Sequence, residues 1–571
     1  MPVGTLPIPF PDSTMPGTPG HFQESGGRIV NSYVEPLAPT APSTIIYRRA
    51  PGLRNFGTTT RAGFRGGIEV NSVLYCAFGN RLVSFGAGGG AATDIGAFTG
   101  TAKGFFARNM LRPTPNIVFC DPDGNYAKID PSTGTITPNY DLDLPSPNSV
   151  CVLDNFFVYT ISDGRAFASD FNSADVQPLS FGTAEAKADG LIRGVSWAGQ
   201  LFLMGPSSTE VWANAGTTPF PFQRSVVIPR GIAGPYCVSG FEDNFSRALV
   251  WVADDNTVVR LNGYTPEKIS PPDLDGLIER VTDKTQLEMS CFISRGHAFI
   301  LLSSLTWSWV FDLNNNKWAE RNSYLQARSR ITGGVFSFGR WLCGDLLSGN
   351  VQEITNQAHT EIGQPFRWRL ESGAVENFPV GARVGRFDAE FVTGVGQATT
   401  PHIMNITAAV AGTPFTTPTG TANRIRLTVT TTVLYRDGDA ATVAGVGGTT
   451  EANGTWPIDV IDGTHVELNG STFVNAYTAG GTITGLASIE PIETDPVVEI
   501  SWSDDGGQTY YAPIQRKLGR QAQTKQLVSL IACTGRSSWN ARRWRLDIAD
   551  PVHVGFMGAY QNISPKVSDI G

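Results

Sequence analysis

Pairs of apolar, strand-like runs joined by a short polar turn recur along residues 61–360, at intervals of roughly 40 to 50 residues. Typical pairs are NIVFCDPDGNYAKID and NFFVYTISDGRAFASDF. The Asp-Gly and Asn-Gly type turns between such runs supply the positive φ angles that a tight hairpin needs. The spacing is typical of the blades of a β-propeller, and it predicts about six or seven blades.

Helical periodicity is nearly absent from the sequence. PPDLDGLIERVTD, at 271–283, is the best candidate for a short helix and lies between two of the predicted blades. In WVFDLNNNKWAER, Trp309 and Trp318 flank a polar turn. Their large rings are predicted to pack between adjacent blades.

The regions that flank the predicted propeller have different patterns. Residues 1–60 are rich in Pro and Gly and predict an extended N-terminal arm that contributes to a platform. Residues 361–400 and 487–571 contain long alternating strands and predict a discontinuous β-rich platform domain. Between them, residues 401–486 are rich in Thr, Gly and Val and predict an inserted small β-sandwich or barrel module. The predicted fold class is therefore all-β.

The composition agrees with this class and narrows the choice of partners. The chain has 571 residues, with 63 Gly and 37 Pro and only 16% charged residues, which is typical of a multidomain all-β protein. Its net charge of −8 argues against a protein that grips nucleic acid by the phosphates. The N-terminus lacks a basic region followed by an apolar stretch, so we expect a soluble protein made in the cytosol, with no membrane insertion of its own.

The residues that usually carry metal or cofactor chemistry are scattered. The seven cysteines contain no C-x-x-C pair and predict buried, inert thiols. The six histidines form no H-x-x-x-H or H-E-x-x-H motif, and there is no phosphate-binding G-x-x-x-x-G-K-[ST] loop. We therefore expect no metal site, no cofactor and no catalytic base. NARRWRLD, at 540–547, could be a strip that binds nucleic acid, but strand alternation favours a solvated strand or a subunit contact, with Arg543 and Arg545 opposite Trp544.

One stretch, SDDGGQTYY, fits the "Asp box" pattern found in the propellers of sialidases and related sugar hydrolases. Its pattern residues are Ser503, Asp505, Gly507, Thr509 and Tyr510. The pattern describes a hairpin in which the Asp carboxylate accepts hydrogen bonds from the turn backbone. Only one clear box occurs, and it lies outside the propeller-like half. We interpret it as a structural clamp and expect no catalytic residues.

The stretch GRIVNSYVEP, with Gly27, Arg28, Asn31, Tyr33 and Glu35, resembles the N-terminal signature of the tail nozzle proteins of short-tailed bacteriophages. This family is also called packaged-DNA stabilisation or tail hub proteins. WSWVFDLNNNKWAERNS resembles the family's propeller, and ISWSDDGGQTYYAPIQRKLGR with RRWRLDIADPVHVGFMGAY resembles its platform strands. The Thr- and Gly-rich insert is similar to a small β-module of phage structural proteins.

The resemblance implies a structural virion protein of the tail, assembled in the host cytoplasm, and not an enzyme. It implies that six copies form the ring-shaped distal nozzle, which continues the DNA channel below the portal and adaptor, retains the packaged DNA and allows its ejection. The implied partners are further copies of the chain, an adaptor or tube protein above, and fibre, spike or needle proteins alongside or below. Double-stranded DNA would pass without specific binding, and the insert could form the nozzle tip. Two alternatives stay open: a propeller that hydrolyses glycans as a tail depolymerase, and a propeller that binds a receptor without catalysis.

Overall fold

The structure is a computed structural model in which nearly all regular secondary structure is β-strand. Residues 1–393, 495–550 and 554–571 form one compact unit, and residues 394–494 with 551–553 form a second. The described residues are 4–17, 24–41, 43–187, 189–245, 247–375, 382–392, 400–417, 420–431, 440–487, 496–519, 526–531, 536–537 and 542–565.

The N-terminal segment contributes the strands β1 (Gly4–Pro7), β2 (Arg28–Val30), β3 (Ser32–Pro36), β4 (Ile45–Arg49) and β5 (Gly52–Thr58). The first five blades then follow in chain order. Their strands, with the short strand β9, are β6 (Phe64–Val70), β7 (Val73–Phe78), β8 (Arg81–Gly86), β9 (Gly90–Ala91), β10 (Thr93–Ala97), β11 (Phe105–Arg108), β12 (Ile117–Cys120), β13 (Tyr126–Asp130), β14 (Thr135–Pro138), β15 (Ser149–Leu153), β16 (Phe156–Thr160), β17 (Arg165–Ser169), β18 (Val176–Thr183), β19 (Arg193–Trp197), β20 (Gln200–Met204), β21 (Thr209–Asn214), β22 (Phe222–Ile228), β23 (Val238–Ser239), β24 (Val250–Val252), β25 (Val258–Asn262) and β26 (Thr265–Lys268).

The helix α1 (Pro272–Glu279) and a 3₁₀ turn at Lys284–Gln286 precede the last two blades. The strands of these blades and of the first platform segment are β27 (Glu288–Ser294), β28 (His297–Ser303), β29 (Ser308–Asp312), β30 (Lys317–Glu320), β31 (Ile331–Ser337), β32 (Arg340–Asp345), β33 (Asn350–Thr355), β34 (Thr360–Glu361), β35 (Gln364–Pro365), β36 (Trp368–Glu371) and β37 (Ala382–Val392).

The insert contains β38 (Thr400–Thr417), β39 (Gly420–Val429), β40 (Ala440–Ala444), a 3₁₀ turn at Thr450–Ala452, β41 (Gly454–Val460), β42 (His465–Leu468) and β43 (Thr482–Ala487). The chain then ends with β44 (Val497–Ser503), β45 (Ile514–Lys517), β46 (Gln526–Ile531), β47 (Arg536–Ser537), β48 (Arg543–Ile548) and β49 (Gly555–Pro565).

Seven four-stranded antiparallel blades make up the propeller within the described residues. Blade 1 is β6-β7-β8-β10, blades 2 to 5 are β11–β14, β15–β18, β19–β22 and β23–β26, blade 6 is β27–β30, and blade 7 is β31-β32-β33-β5. The first strands of the blades line a central cavity, and β31 of blade 7 lies beside β6 of blade 1. This arrangement confirms the prediction of an all-β fold with a propeller.

Local turn chemistry explains why the blade hairpins form where the sequence predicts them. Between β12 and β13, one carboxylate oxygen of Asp121 accepts hydrogen bonds from the backbone N–H groups of Asp123 (3.1 Å) and Asn125 (3.0 Å). Gly124 in the same turn has φ +85°, which favours glycine. The turn backbone is therefore satisfied before any contact with another blade.

The predicted short helix is confirmed as α1. Pro272 begins the helix, where its missing N–H costs nothing, and Asp273 and Asp275 lie in the first turn, where the helix dipole favours acidic groups. Leu274 and Ile278, four residues apart on one face, are fully buried. They anchor the helix on the propeller core.

The N-terminal segment adds a strand to each of the last two blades. β5 pairs antiparallel with β33 and is the fourth strand of blade 7, while β2 pairs with β30 of blade 6. The sequence pattern predicted only an arm that contributes to the platform. The sequence around β5 contains no sign that this strand closes blade 7, because Arg54 of β5 pairs with Glu353, 299 residues away along the chain.

Two sheets form the platform, and large rings fill the space between them. One sheet continues from blade 6 in the order β27-β28-β29-β30-β2-β36-β48-β44-β45; the other has the order β3-β4-β49-β37-β46, with β1 on β49 and β47 on β37. Trp544 of the first sheet packs against Phe387 of the second with ring centroids 4.5 Å apart, and Trp368 packs against Phe391 and Phe556. Blade 6 and the platform thus share one continuous sheet.

The second unit is a closed six-stranded barrel in the order β38-β39-β42-β41-β40-β43. Its core contains the fully buried side chains of Ile425, Leu427, Ile458 and Leu468. The insert therefore takes the barrel form of the two that the sequence allowed.

Candidate functional site

Residues from both ends of the sequence meet where β2 lies between β30 of blade 6 and β36 of the platform. We call this place the junction. Gly27 enters it with φ +112°, and a Cβ built there would lie 2.4 Å from the backbone oxygen of Glu371 and 2.8 Å from Cδ of Pro11. Glycine is therefore required, because the backbone of the arm approaches the platform too closely for any side chain.

Arg28 ties the arm to blade 6. Its Nε and Nη2 donate to the two carboxylate oxygens of Glu320 at 2.9 and 2.6 Å, and its Nη1 lies 3.9 Å from Glu371 of β36. The same Glu320 carboxylate accepts a hydrogen bond from the Thr14 hydroxyl at 2.9 Å. The charge of Glu320 raises the pKa of Arg28 above its usual range. The Arg28 guanidinium thus connects the propeller to the platform, through two hydrogen bonds to Glu320 and a longer contact with Glu371.

Asn31 follows β2 and turns the chain with φ 53°, a left-handed conformation that Asn adopts more readily than most residues. Its side-chain nitrogen donates to the Asn322 side chain (2.9 Å) and to the backbone oxygen of Arg367 (2.8 Å). Its side-chain oxygen accepts from the Asn322 backbone N–H at 3.0 Å. The amide therefore connects the segments after β30 and before β36.

Tyr33 and Glu35, two residues apart on β3, lie on the same face of the strand but make different contacts. Tyr33 is buried against the rings of His297 and Phe299 of blade 6, with centroids 5.0 and 5.4 Å apart. Burial raises the pKa of the Tyr33 hydroxyl. Glu35 forms an ion pair with Arg48 on the adjacent strand β4. Of the two, only Tyr33 packs into the propeller core.

The two tryptophans of the polar turn are buried at the same edge of blade 6. Their ring centroids lie 6.2 Å apart, and the Trp318 ring also packs on Phe311 at 4.9 Å. The Trp318 Nε1 donates to the backbone oxygen of Ile269, which follows blade 5, at 2.7 Å. Trp318 therefore lies between blades, while Trp309 supports it from within blade 6.

The Asp box is a closed hydrogen-bonded turn. The Ser503 hydroxyl accepts from the Gly507 N–H at 2.8 Å and donates to Asp505 at 2.6 Å, and the Thr509 N–H and hydroxyl both donate to the Asp505 carboxylate. Burial alone would raise the pKa of Asp505, but the bonds from Ser503, Thr509 and the turn backbone outweigh it and lower the pKa to about 2. A carboxylate held this way by donors is a turn clamp.

Tyr510 connects the Asp box to the junction. The guanidinium carbon of Arg545 lies 4.2 Å from the centre of the Tyr510 ring, a cation–π contact. Burial, followed by the charge of Glu371, raises the pKa of the Tyr510 hydroxyl. Since Arg28 also lies beside Glu371, the N-terminal signature and the Asp box share one carboxylate.

The expectation of a solvated arginine face at 540–547 is wrong for Arg543. Arg543 is only 2% exposed and donates to the backbone oxygens of Ser25 (2.7 Å) and Ser372 (3.5 Å). Arg542, also buried, makes a two-pronged ion pair with Asp504 at 2.8 and 2.9 Å. The arm covers this strand, and single-strand alternation could not reveal that cover. Both guanidinium groups are buried and are therefore not exposed to a nucleic acid.

In the described ranges, no three or more His, Cys, Asp or Glu side chains are placed to hold a metal ion. Cys151 is half-buried, the other described cysteines are buried, and Cys533 lies outside the described residues; the buried ones are Cys76, Cys120, Cys237, Cys291 and Cys343. No helix in the described part of the chain is long and apolar enough to cross a membrane.

The central cavity of the propeller has a volume of roughly 690 Å³ and is lined from all seven blades. Charged side chains of both signs face it. Arg65 pairs with Asp121 at 3.0 Å, and Lys103 pairs with Glu288. Arg193 also lines the cavity. No sequence motif marked this cavity, because its residues come from seven separate first strands.

Two solved structures match this chain at low sequence identity and with low TM-scores. BamB from Moraxella catarrhalis is 14% identical, with 56% of this chain and 95% of that chain covered and a TM-score of 0.34. A chain of the mitotic checkpoint complex is 12% identical, with 56% of this chain and 96% of that chain covered and a TM-score of 0.35. None of the curated proteins compared matches the sequence.

A family model described as bacteriophage P22 Gp10, beta-propeller, matches residues 29–359, which is more than half of the chain. The matched residues run from β2 through blade 7 and include the signature residues from Asn31 to Trp318. The chain therefore belongs to the P22 Gp10 family of phage tail nozzle, or stabilisation, proteins, which are structural components of the virion tail.

Proposed function

We propose that six copies of this chain form the ring-shaped distal nozzle of the tail, which continues the DNA channel below the portal and adaptor. In this role the ring retains the packaged DNA and lets it leave at infection. The observation that carries the proposal is membership of the P22 Gp10 family across the propeller and the arm. Three physical features of the chain support it.

The first feature is the size of the propeller cavity. The major groove of B-DNA alone is about 12 Å wide and 8.5 Å deep. A cavity of roughly 690 Å³ is too small for a duplex of even a few base pairs. We therefore place the path of the DNA between copies of the chain and not through a propeller, as a ring would provide.

The second feature is the charge of the chain. A net charge of −8 gives the walls of such a channel no general attraction for phosphates. Lys and Arg contacts to phosphates would hold the duplex and slow its passage. The described arginines of the junction are already paired with carboxylates or backbone oxygens, as in Arg28 with Glu320. This suits double-stranded DNA that slides through without specific binding.

The third feature is an exposed apolar face on the platform. β46 lies at one end of the seven-stranded sheet, and Leu527 and Ile531 on it are 58% and 70% exposed. Tyr560 on the nearby strand β49 is 51% exposed. Edge strands with exposed apolar side chains are places where sheets of neighbouring molecules meet. We therefore assign this face to contacts between copies in the ring.

The remaining partners follow from the same proposal. The adaptor or tube protein would lie above the ring, and fibre, spike or needle proteins would lie alongside or below it, after assembly in the host cytoplasm. The barrel unit would contribute to the nozzle tip. The chain performs no catalysis in this role, and the Asp box serves as a clamp beside the junction.

Immunogold electron microscopy of purified virions, with antibody against this chain, tests the location. We expect label at the axial tip of the tail. Label on peripheral spikes would contradict the nozzle and favour the depolymerase or receptor-binding alternatives, which a glycan-release assay would then separate.

A complementation experiment tests the assembly. Virions made with Leu527→Glu/Ile531→Glu should lack the nozzle and lose their DNA, because carboxylates would be buried between copies. The control is Leu179→Glu on β18, a residue that is 72% exposed on blade 3. Wild-type DNA retention by the platform variant would refute the proposed contact face.

A further inference from the structure

Arg193, at the start of β19 in blade 4, is a buried cation with unused hydrogen-bond donors. It is 6% exposed, and its Nε and Nη1 are enclosed without a hydrogen-bond partner. No ion pair joins it to a carboxylate in the described part of the chain. An enclosed guanidinium without a counter-charge is costly, because neither water nor an anion replaces its lost hydration.

The position of Arg193 is fixed by aromatic rings from other blades. Its guanidinium carbon lies 3.2 Å from the ring centre of Phe105 in blade 2 and 5.6 Å from that of Phe241, which follows β23 in blade 5. The side chain therefore reaches across the central cavity instead of lying in its own blade. Burial lowers the pKa of Arg193 to about 10, so the group is still positively charged at neutral pH.

The other cations that line the cavity have carboxylate partners. Arg65 pairs with Asp121, Lys103 pairs with Glu288, and Arg108 lies 3.8 Å from Asp243. Arg193 differs from all three. This asymmetry leaves one buried positive charge at the cavity without a matching negative group.

Glu242, the carboxylate that attracts Arg193, is already engaged. Glu242 accepts hydrogen bonds from the Ser239 hydroxyl at 2.7 Å and from the backbone N–H of Gly240. It contributes a through-space attraction to Arg193 but no hydrogen bond. The donors on the guanidinium therefore point to a group that comes from outside the chain.

We propose that the propeller cavity binds a small oxyanion, a phosphate or a carboxylate, against Arg193. Both groups accept charge-assisted hydrogen bonds from a guanidinium. The cavity of roughly 690 Å³ has room for such a group, and Arg193 is part of its lining. This site does not depend on the ring proposed above, since all its residues lie within one propeller.

Isothermal titration calorimetry of the full chain with inorganic phosphate, at constant ionic strength in chloride, tests the site. We expect saturable binding to the wild type and a loss of affinity of at least about ten-fold in Arg193→Gln, because the charged donors are removed. The matched control is Arg108→Gln, which removes another cavity cation and should change the affinity by less than about two-fold. No binding to the wild type, or equal affinities in wild type and Arg193→Gln, would overturn the proposal.

Acetate in place of phosphate separates the two sources of the oxyanion. Tighter binding of phosphate assigns the site to phosphate groups, and tighter binding of acetate assigns it to carboxylates, including those of a partner polypeptide. Both results support an oxyanion at Arg193, provided that Arg193→Gln weakens the binding of phosphate or of acetate.

A measurement on the wild type alone tests the same site without a variant, which could fail to fold. Cys151, on β15 beside Arg193, is the half-buried cysteine and lines the same cavity. Bound phosphate should slow its alkylation by a small thiol reagent, located at Cys151 by peptide mass spectrometry. An alkylation rate that saturating phosphate leaves unchanged would contradict binding at this place.

Discussion

The outer strands of blades 1 to 5 and those of blades 6 and 7 lie in different surroundings. β14 and β26 are largely exposed along their length, as the last strand of a blade usually is. β30 and β5 are instead half or more buried, because β2 and β34 pair with their far edges. The outer strands of blades 1 to 5 are thus edges formed by local segments. Blade 6 is extended by β2 and blade 7 is closed by β5, and both strands come from far along the chain.

Because of this difference, the stability of the propeller ring should depend more on blades 6 and 7 than on blades 1 to 5. In blades 1 to 5 a damaged outer strand exposes one edge to water. In blade 6 the same damage disrupts the sheet that also contains β2 of the arm and strands of the platform, and in blade 7 it opens the closure of the ring by β5. Substitutions should therefore cost more near blades 6 and 7 than chemically similar substitutions in the other blades.

Glu361→Gln should give the largest effect. Arg321, which follows β30, is fully buried and donates to Glu361 of β34 at 3.1 Å. Removing the carboxylate charge leaves an uncompensated buried guanidinium, at a cost of about 3–5 kcal/mol. Urea unfolding measures the loss. Asp94→Asn, which removes the surface partner of Arg81 in blade 1, should cost less than about 1 kcal/mol, and equal losses would break the comparison.

Leu53→Ala tests the closure of blade 7 directly. Leu53 is 1% exposed on β5, and truncation leaves a cavity that should destabilise the unit by about 2–5 kcal/mol. Thermal unfolding measures the change. Leu179→Ala on the outer strand of blade 3, where the side chain is 72% exposed, should stay within about 0.5 kcal/mol of wild type. Equal melting temperatures of the two variants would contradict the comparison.

Arg28→Gln tests the bridge between blade 6 and the platform. We expect a loss of about 1–2 kcal/mol, because the pair with Glu320 is hydrogen-bonded at both oxygens but partly exposed. A double-mutant cycle with Glu320→Gln separates this pair from the bond between Glu320 and Thr14. Strict additivity of the two single changes would show that the pair has no net coupling.

Asp505 should give the smallest effect, and one that depends on pH. Its folded pKa of about 2 lies below the usual value of about 3.9, so the unfolded chain binds more protons in acid. The stabilising contribution is therefore present above about pH 4 and is lost as the pH falls through about 2. The stability difference between wild type and Asp505→Asn should shrink from pH 5 to pH 2 and stay below about 1 kcal/mol. A difference that is constant with pH would contradict the clamp.

The sequence predicted the features whose partners lie close along the chain. The hairpin around Asp121 and the helix with Leu274 and Ile278 could be read from turn residues and periodicity, because a few neighbouring residues satisfy them. The role of β5 could not be read, since its ladder partner lies about 300 residues away. The burial of Arg543 and the isolation of Arg193 depend on other segments, and such contacts have no pattern in the linear sequence.

The closure of blade 7 by β5 has a consequence for the synthesis of the protein on the ribosome. Translation at roughly 5–20 residues per second separates the emergence of Arg54 from that of Glu353, 299 residues later, by roughly 15 to 60 seconds. During that interval the nascent chain carries a strand without its partner, and the blades made meanwhile form an open series. β5, the first strand of the propeller to be synthesised, is thus among the last to pair with its neighbour in the sheet.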